Sequence, residues 1–146
     1  MEIDTVLVPV DGNDSSVDAV EYAVEIADRY GASVHVLYLL GEQASEAMEA
    51  GAVDADTIAD RGETVMDRAR SVAAGSGVDL DHSSAFGYSV SQLTRHPGTV
   101  IVDAADDVGV EFLVVPREPV TGDQAAVIEK AAEYVISYAE QPVLSV

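Results

Sequence analysis

Apolar residues along this chain follow two spacings in turn. Thr5-Val6-Leu7-Val8-Pro9-Val10 is a near-continuous apolar run, and Ser33 to Leu40 is another. Runs of that length fit strands covered on both faces. Between them Val17, Val20, Val24 and Ala27 recur at helical spacing. Asp11-Gly12-Asn13-Asp14 supplies a turn before that helix, Ser15 with Asp18 offers a capping box, and Gly31 ends it. Gly41 to Asp54 is small and acidic with weak periodicity, so it reads as a loop with a helical turn over 45–49. From Asp56 the stripe Ile58, Gly62, Val65, Met66, Ala69, Val72 and Ala73 predicts a second helix, closed by Gly75-Ser76-Gly77. A third strand is predicted from Val78 through at least Ser84. Pro97 fits the first turn of a third helix with the stripe Val100, Ile101, Ala104, Ala105 and Val108, ended by Gly109. Phe112 to Val115 is the fourth strand. Gln124 to Glu140 is the fourth helix, with Ile128, Ala131, Ala132, Val135 and Ala139 inward, and Pro142 to Val146 is the fifth strand. Alternation of strand and helix predicts a doubly wound parallel sheet with right-handed crossovers.

Composition narrows the class. The chain has 146 residues, one domain's worth, and a domain of this size buries roughly 70% of its unfolded surface. Apolar residues make up 48%, enough for a core despite the charge. Asp and Glu total 27 against 7 Lys and Arg, a net charge of −20, and Lys130 is the sole lysine. Such a chain repels nucleic acid and anionic membranes. The acids could face a basic partner, or they could reflect adaptation to molar salt, where screening acts over about 3 Å. Because they are spread along the whole chain and lysine is nearly absent, adaptation to salt is the favoured reading. There is no cysteine, hence no disulfide, thiol nucleophile or thiolate metal site. No apolar run approaches a membrane span, and Met1-Glu2-Ile3-Asp4 leads directly into a strand, so the expected location is the cytoplasm.

Candidate chemistry is sparse. His35, His82 and His96 lack the paired spacing of a metal site, and Asp79/Asp81 and Asp106/Asp107 read as solvated surface acids. Gly87-Tyr88-Ser89-Val90-Ser91 begins like a nucleophile elbow but lacks the closing glycine, and no phosphate loop ending in Gly-Lys-Ser or Gly-Lys-Thr is present. The turn after the fourth strand is Pro116-Arg117-Glu118-Pro119-Val120-Thr121-Gly122-Asp123. In a parallel sheet this is where a phosphate would sit, held by glycine-rich backbone. Proline has no N–H to give, and Glu118 and Asp123 oppose an anion. Arg117 and Lys130 are the cations nearby; the simplest reading pairs Arg117 with Glu118 or Asp123, and Lys130 with Glu133 at helical spacing. No nucleophile, base or metal cluster converges, so a binding or regulatory module is expected rather than an enzyme.

Four fragments in order resemble the universal stress protein family over essentially the whole chain. They are Val6-Leu7-Val8-Pro9-Val10-Asp11-Gly12 with Ser15 after it, the helix-Gly-strand segment Ala23 to Val36, Ala104-Ala105 followed by Val110-Glu111-Phe112-Leu113-Val114-Val115, and the closing Pro142-Val143-Leu144-Ser145-Val146. The resemblance implies a single domain over residues 1–146, with sheet order 3-2-1-4-5, helices on both faces and a Rossmann-like fold. ATP-binding members of that family carry Gly, two residues, Gly, nine residues, Gly, then Ser or Thr. Here those positions are Pro116, Pro119, Glu129 and Lys130. All three glycines are replaced, so no ATP cofactor is expected. In nucleotide-binding relatives the residue matching Asp11 touches the nucleoside; the plainer reading is that Asp11 and Gly12 simply turn the chain into the first helix. The resemblance thus implies a degenerate pocket framed by Pro9, Val10, Asp11, Gly12, Pro116, Arg117, Pro119, Glu129 and Lys130. The family often dimerises through its last strand, which implies a homodimer through Val143, Leu144, Ser145 and Val146, with an unidentified protein as further partner. The expected function is a stress-response regulatory or adaptor protein; the alternative is a small-molecule or nucleotide sensor binding near Asp11 in an altered mode. Two departures stand out. Arg95-His96-Pro97 replaces the family's Gly-Asp-Pro or Gly-Asn-Pro, and the stretch from Gly77 to Pro97 is longer than usual. Phe86 to Arg95 then reads either as a lengthened strand bulged at Gly87 or as a flap over the pocket.

Overall fold

A computed structural model describes residues 2–11, 14–40, 47–48, 50–86, 97–116 and 123–146, with the backbone alone at 14–15, 86, 97 and 123–130. Five strands, β1 (Thr5–Val10), β2 (Ser33–Leu40), β3 (Leu80–Phe86), β4 (Phe112–Val115) and β5 (Val143–Ser145), form one sheet in the order β3-β2-β1-β4-β5. All pairings are parallel. The crossovers are α1 (Asp14–Tyr30), α2 (Ala55–Ala73), α3 (Pro97–Val108) and α4 (Asp123–Tyr138). This is the expected doubly wound order.

Strand periodicity divides the core in two. Successive side chains point to opposite faces. Val6, Val8 and Val10 of β1 and Val34, Val36, Tyr38 and Leu40 of β2 pack with Val20, Ala23 and Ala27 of α1 and Val65, Met66 and Ala69 of α2. Leu7, Leu37, Leu39, Leu113 and Val115 face the other way, onto Ile101 and Ala105 of α3 and Ala131, Ala132 and Val135 of α4. Each such Leu or Val, fully removed from water, contributes about 1.5–3 kcal/mol. The continuous apolar runs of β1 and β2 exist because both faces must be fed.

Local chemistry explains two of the boundaries that differ from their sequence-based positions. α2 begins earlier because Asp54 caps it. Its carboxylate accepts the Thr57 N–H at 2.9 Å and the Thr57 hydroxyl at 2.8 Å, which holds its pKa below the ordinary carboxylate range. β3 begins at Leu80 rather than Val78, because the Val78 N–H is taken by the Ser76 hydroxyl at 3.1 Å, and pairing with β2 starts where Val34 N–H meets the Asp79 carbonyl at 2.9 Å. Gly62, inside the α2 stripe, lets the helix approach the sheet: a Cβ there would lie 3.3 Å from Ser84 Oγ and 3.5 Å from Tyr38 Cδ2. Of the helical turn expected over 45–49, Ala47 and Met48 are helical; 41–46 and 49 lie outside the described residues, as does 87–96 with the bulge or flap and His96.

Candidate functional site

The strand order reverses between β1 and β4, and an open parallel sheet offers its binding crevice beyond the carboxyl ends of the two strands at that point. β1 delivers Pro9 and Val10, both buried, and then Asp11, only 1% exposed. β4 ends at Val115 and delivers Pro116, also buried. Because β1 and β4 run parallel and adjacent, Asp11 and Pro116 emerge at the same end of the sheet. The structure therefore brings together four of the expected pocket residues. Glu129 and Lys130 lie within α4, where the backbone alone is described; Gly12, Arg117 and Pro119 lie outside the described residues, and so do the ion pairs expected of Arg117 and Lys130.

Asp11 is tied into the start of α1. The Ser16 hydroxyl donates to Asp11 Oδ1 at 2.7 Å, and the Asp11 N–H donates back to Ser16 Oγ at 3.1 Å. Both side chains are buried. This reciprocal pair joins the end of β1 to the first turn of α1, whose N-terminus also favours the carboxylate. Sequence reasoning singled out Ser15 and missed Ser16. The spacing of five residues permits the contact, but only the packing of α1 decides that the Ser16 hydroxyl reaches back to Asp11. Tyr38, opposite Val10, is buried nearby; burial raises its phenol pKa, with Arg61 opposing and Asp11 adding to the rise. The Asp11 carboxylate is thereby tied to the turn from β1 into α1.

A cavity of about 290 Å³ opens at the opposite end of the sheet, lined by Asp4, Asp28, Gly31, Ser33 and Asp79 among others. Its carboxylates repel a phosphate, and it is remote from the switch point, so the crevice above β1 and β4 remains the candidate site. Among the described residues no group of three or more His, Asp or Glu is placed to hold a metal ion, and no described helix is long and apolar enough to cross a membrane.

His35 is the one further buried ionisable side chain among the described residues. Its Nε2 lies 2.8 Å from Ser83 Oγ, and its Nδ1 lies 3.8 Å from Asp81 Oδ2. Burial lowers its pKa below 6.5, against the pull of Asp81 and with a smaller push from His82. In the window below 6.5 the unfolded chain binds a proton that the folded chain excludes, so this contribution to stability is complete above that value and is lost as pH falls through the window. Urea midpoints are expected to drop between about pH 8 and pH 5.5, and to drop less in His35→Asn. Equal drops in both proteins would remove His35 from the account.

Comparison with known proteins agrees with this architecture. A family model described as the universal stress protein family matches residues 2–146. A universal stress protein of Methanocaldococcus jannaschii is 24% identical over 144 residues, covering 97% of this chain and 80% of that protein. Among solved structures, universal stress protein UspA from Lactobacillus plantarum superposes with a TM-score of 0.72 at 21% identity, covering 100% of this chain and 99% of that one. A universal stress protein crystallised with cAMP superposes with a TM-score of 0.66 at 24% identity, covering 100% and 98%. With the family pattern running from Glu2 to Val146 and the strand order it requires in place, the chain belongs to the universal stress protein family.

Proposed function

We propose that this protein is a non-enzymatic regulatory or adaptor member of its family, homodimeric through β5, that does not bind ATP through the glycine signature. What supports this is the sequence after β4: in the register that the resemblance implies, Pro116, Pro119 and Glu129 stand at the three signature glycine positions, in a chain whose residues 2–146 match the family. Two prolines subtract amide donors and constrain the backbone where it would have to wrap a phosphate. The bond from Ser16 to Asp11 Oδ1 fixes the orientation of the carboxylate against α1, but a carboxylate accepts at both oxygens, so this contact leaves the choice between the two readings to the titration. Titration calorimetry of ATP, ADP and AMP into folded protein in molar KCl is expected to give no heat of binding. Micromolar binding of any of them would replace this reading with the second one.

That second reading is a nucleotide sensor with an altered mode of binding. It is favoured by the relative solved with cAMP, a ligand with a single cyclic phosphate that asks less of a polyphosphate cradle. Including cAMP in the titration separates the two readings.

For the dimer, the supporting observation is that β5 closes one side of the sheet with Leu144 exposed at 37% and Val143 and Val146 half-buried. An edge strand with apolar side chains invites pairing with a second copy about a two-fold axis. Leu144→Asp is expected to yield monomers by light scattering in high salt. A dimer that survives the substitution would put the interface elsewhere.

A further inference from the structure

β3 closes the other side of the sheet, and no described segment lies beyond it. It is seven residues long where β5 is three. The direction of its backbone groups follows from its register. Val34 donates its N–H to the Asp79 carbonyl and lies opposite Leu80. In a parallel ladder this assigns Asp79, Asp81, Ser83 and Ala85 to β2, and turns the N–H and C=O groups of Leu80, His82 and Ser84 outward. The central outward donor, the His82 N–H, is held at 2.8 Å by Oδ1 of Asp81, its own neighbour in the chain. The Asp81 side chain is 84% exposed, so this bond trades against water and is worth about 1 kcal/mol. It is a replaceable stand-in for the carbonyl of another strand.

The surroundings of the edge specify charge. Asp79 and Asp81 lie along the strand, both exposed. Above it on the α2 side, Glu63 Oε1 sits 3.3 Å from His82 Nε2, and Asp67 follows one turn on. Arg70 answers part of this charge, at 2.7 Å from Asp67 and 3.7 Å from Glu63. We propose that the outer edge of β3 accepts an extended, basic segment of a partner protein as an added strand. The partner's carbonyl takes the His82 N–H, and Asp81, released, turns to the incoming cation. Main-chain bonds supply the affinity and the carboxylates select a basic sequence. In molar salt, screening leaves only carboxylates in direct contact effective, which places the selection on Asp81 and its immediate neighbours. This names the kind of partner an adaptor would take and so rests on that reading; the two fail separately, because nucleotide titration interrogates the crevice and the experiment below interrogates the edge.

The test is amide hydrogen exchange on the full chain in molar KCl, with and without a short peptide of alternating lysine and valine, and with a glutamate–valine peptide as comparison. The basic peptide is expected to slow the amides of His82 and Ser84 at least tenfold, to leave those of Asp81 and Ser83 unchanged because β2 already holds them, and the acidic peptide to do nothing. In Asp81→Asn, which keeps the strand and removes the charge, the basic peptide is expected to bind several-fold more weakly. No slowing at His82 and Ser84 overturns the proposal. So does equal slowing by both peptides, and so does slow exchange at both amides before any peptide is added, which would mean that this chain or a second copy already covers the edge.

Discussion

Gly98→Ala is expected to destabilise the protein by about 3 kcal/mol, although alanine is ordinarily the better helix former. Gly98 lies in the first turn of α3 and is buried. A Cβ there would collide with Tyr134 Cβ and sit 2.6 Å from its Cγ and Cδ1. The nearest atom is not the far end of a mobile side chain. It is fixed to the α4 backbone, so relief requires one helix to move away from the other. The usual gain from replacing a helical glycine is about 0.5–1 kcal/mol, and overpacking costs up to about 3 kcal/mol or more in a site that cannot yield. Such a site is present here, because Ile101 and Ala105 of α3 and Ala131, Ala132 and Val135 of α4 share one packed core against the sheet. The prediction is checked by denaturant midpoints in molar KCl, completed as a double-mutant cycle. Tyr134→Gly removes the offending Cβ, so in that background Gly98→Ala should cost much less; Tyr134→Ala keeps the Cβ and should relieve only the ring contacts. A wild-type midpoint in Gly98→Ala would mean that the helices stand further apart than this geometry gives.

That contact also marks where sequence reasoning stops. The strands were legible because both faces of a parallel sheet demand apolar side chains, which leaves runs such as Thr5–Val10 and Ser33–Leu40 that no surface helix would carry, while their order in the sheet came only with the family resemblance. Helical stripes were legible for the same reason, Gly62 included, since a small residue at a stripe position announces a close approach. Gly98 was not legible. Beside Pro97 it reads as helix-start punctuation, and only the position of α4, brought there by the whole fold, turns it into a packing constraint. The candidate site divides in the same way. The end of β1 and the end of β4 could be read as a crevice from topology alone. The engagement of Asp11 by Ser16 could not, because the choice between a turn residue and a ligand-facing carboxylate depends on which rotamer the packing of α1 allows. His35 looked like one more residue of an apolar strand, and its partners Ser83 and Asp81, 48 and 46 positions away along the chain, meet it only through the β2–β3 register.

Restoring glycine at Pro116, Pro119 and Glu129 together is expected to take ATP affinity from no detectable heat to micromolar, a gain of at least a hundredfold, or about 2.7 kcal/mol. The physical argument lies in donors and in helix position. Two glycines in the turn return two amides and the freedom to point them at one oxyanion. The third acts differently. α4 begins at Asp123, so position 129 lies in its second turn, where its amide is spent within the helix. Glycine there weakens the helix by about 1 kcal/mol and lets its first turn unwind, so that residues around 129–130 become an N-terminus able to meet a phosphate. The single change Glu129→Gly should therefore lower helix content without conferring binding, and the two proline replacements alone should confer little. Adding Lys130→Ser, which supplies the hydroxyl of the signature, should tighten binding further. The triple variant also loses stability, about 0.4–1 kcal/mol for each proline and about 1 kcal/mol for the helical glycine, so calorimetry belongs in molar KCl with folding confirmed by circular dichroism. Heat of binding from the triple variant, and none from the wild type, would show that the crevice at β1 and β4 is intact and that the three replacements account for its silence. A folded triple variant that still gives no heat would mean that the signature register drawn through Pro116, Pro119 and Glu129 is wrong, and with it the reason for calling the pocket degenerate.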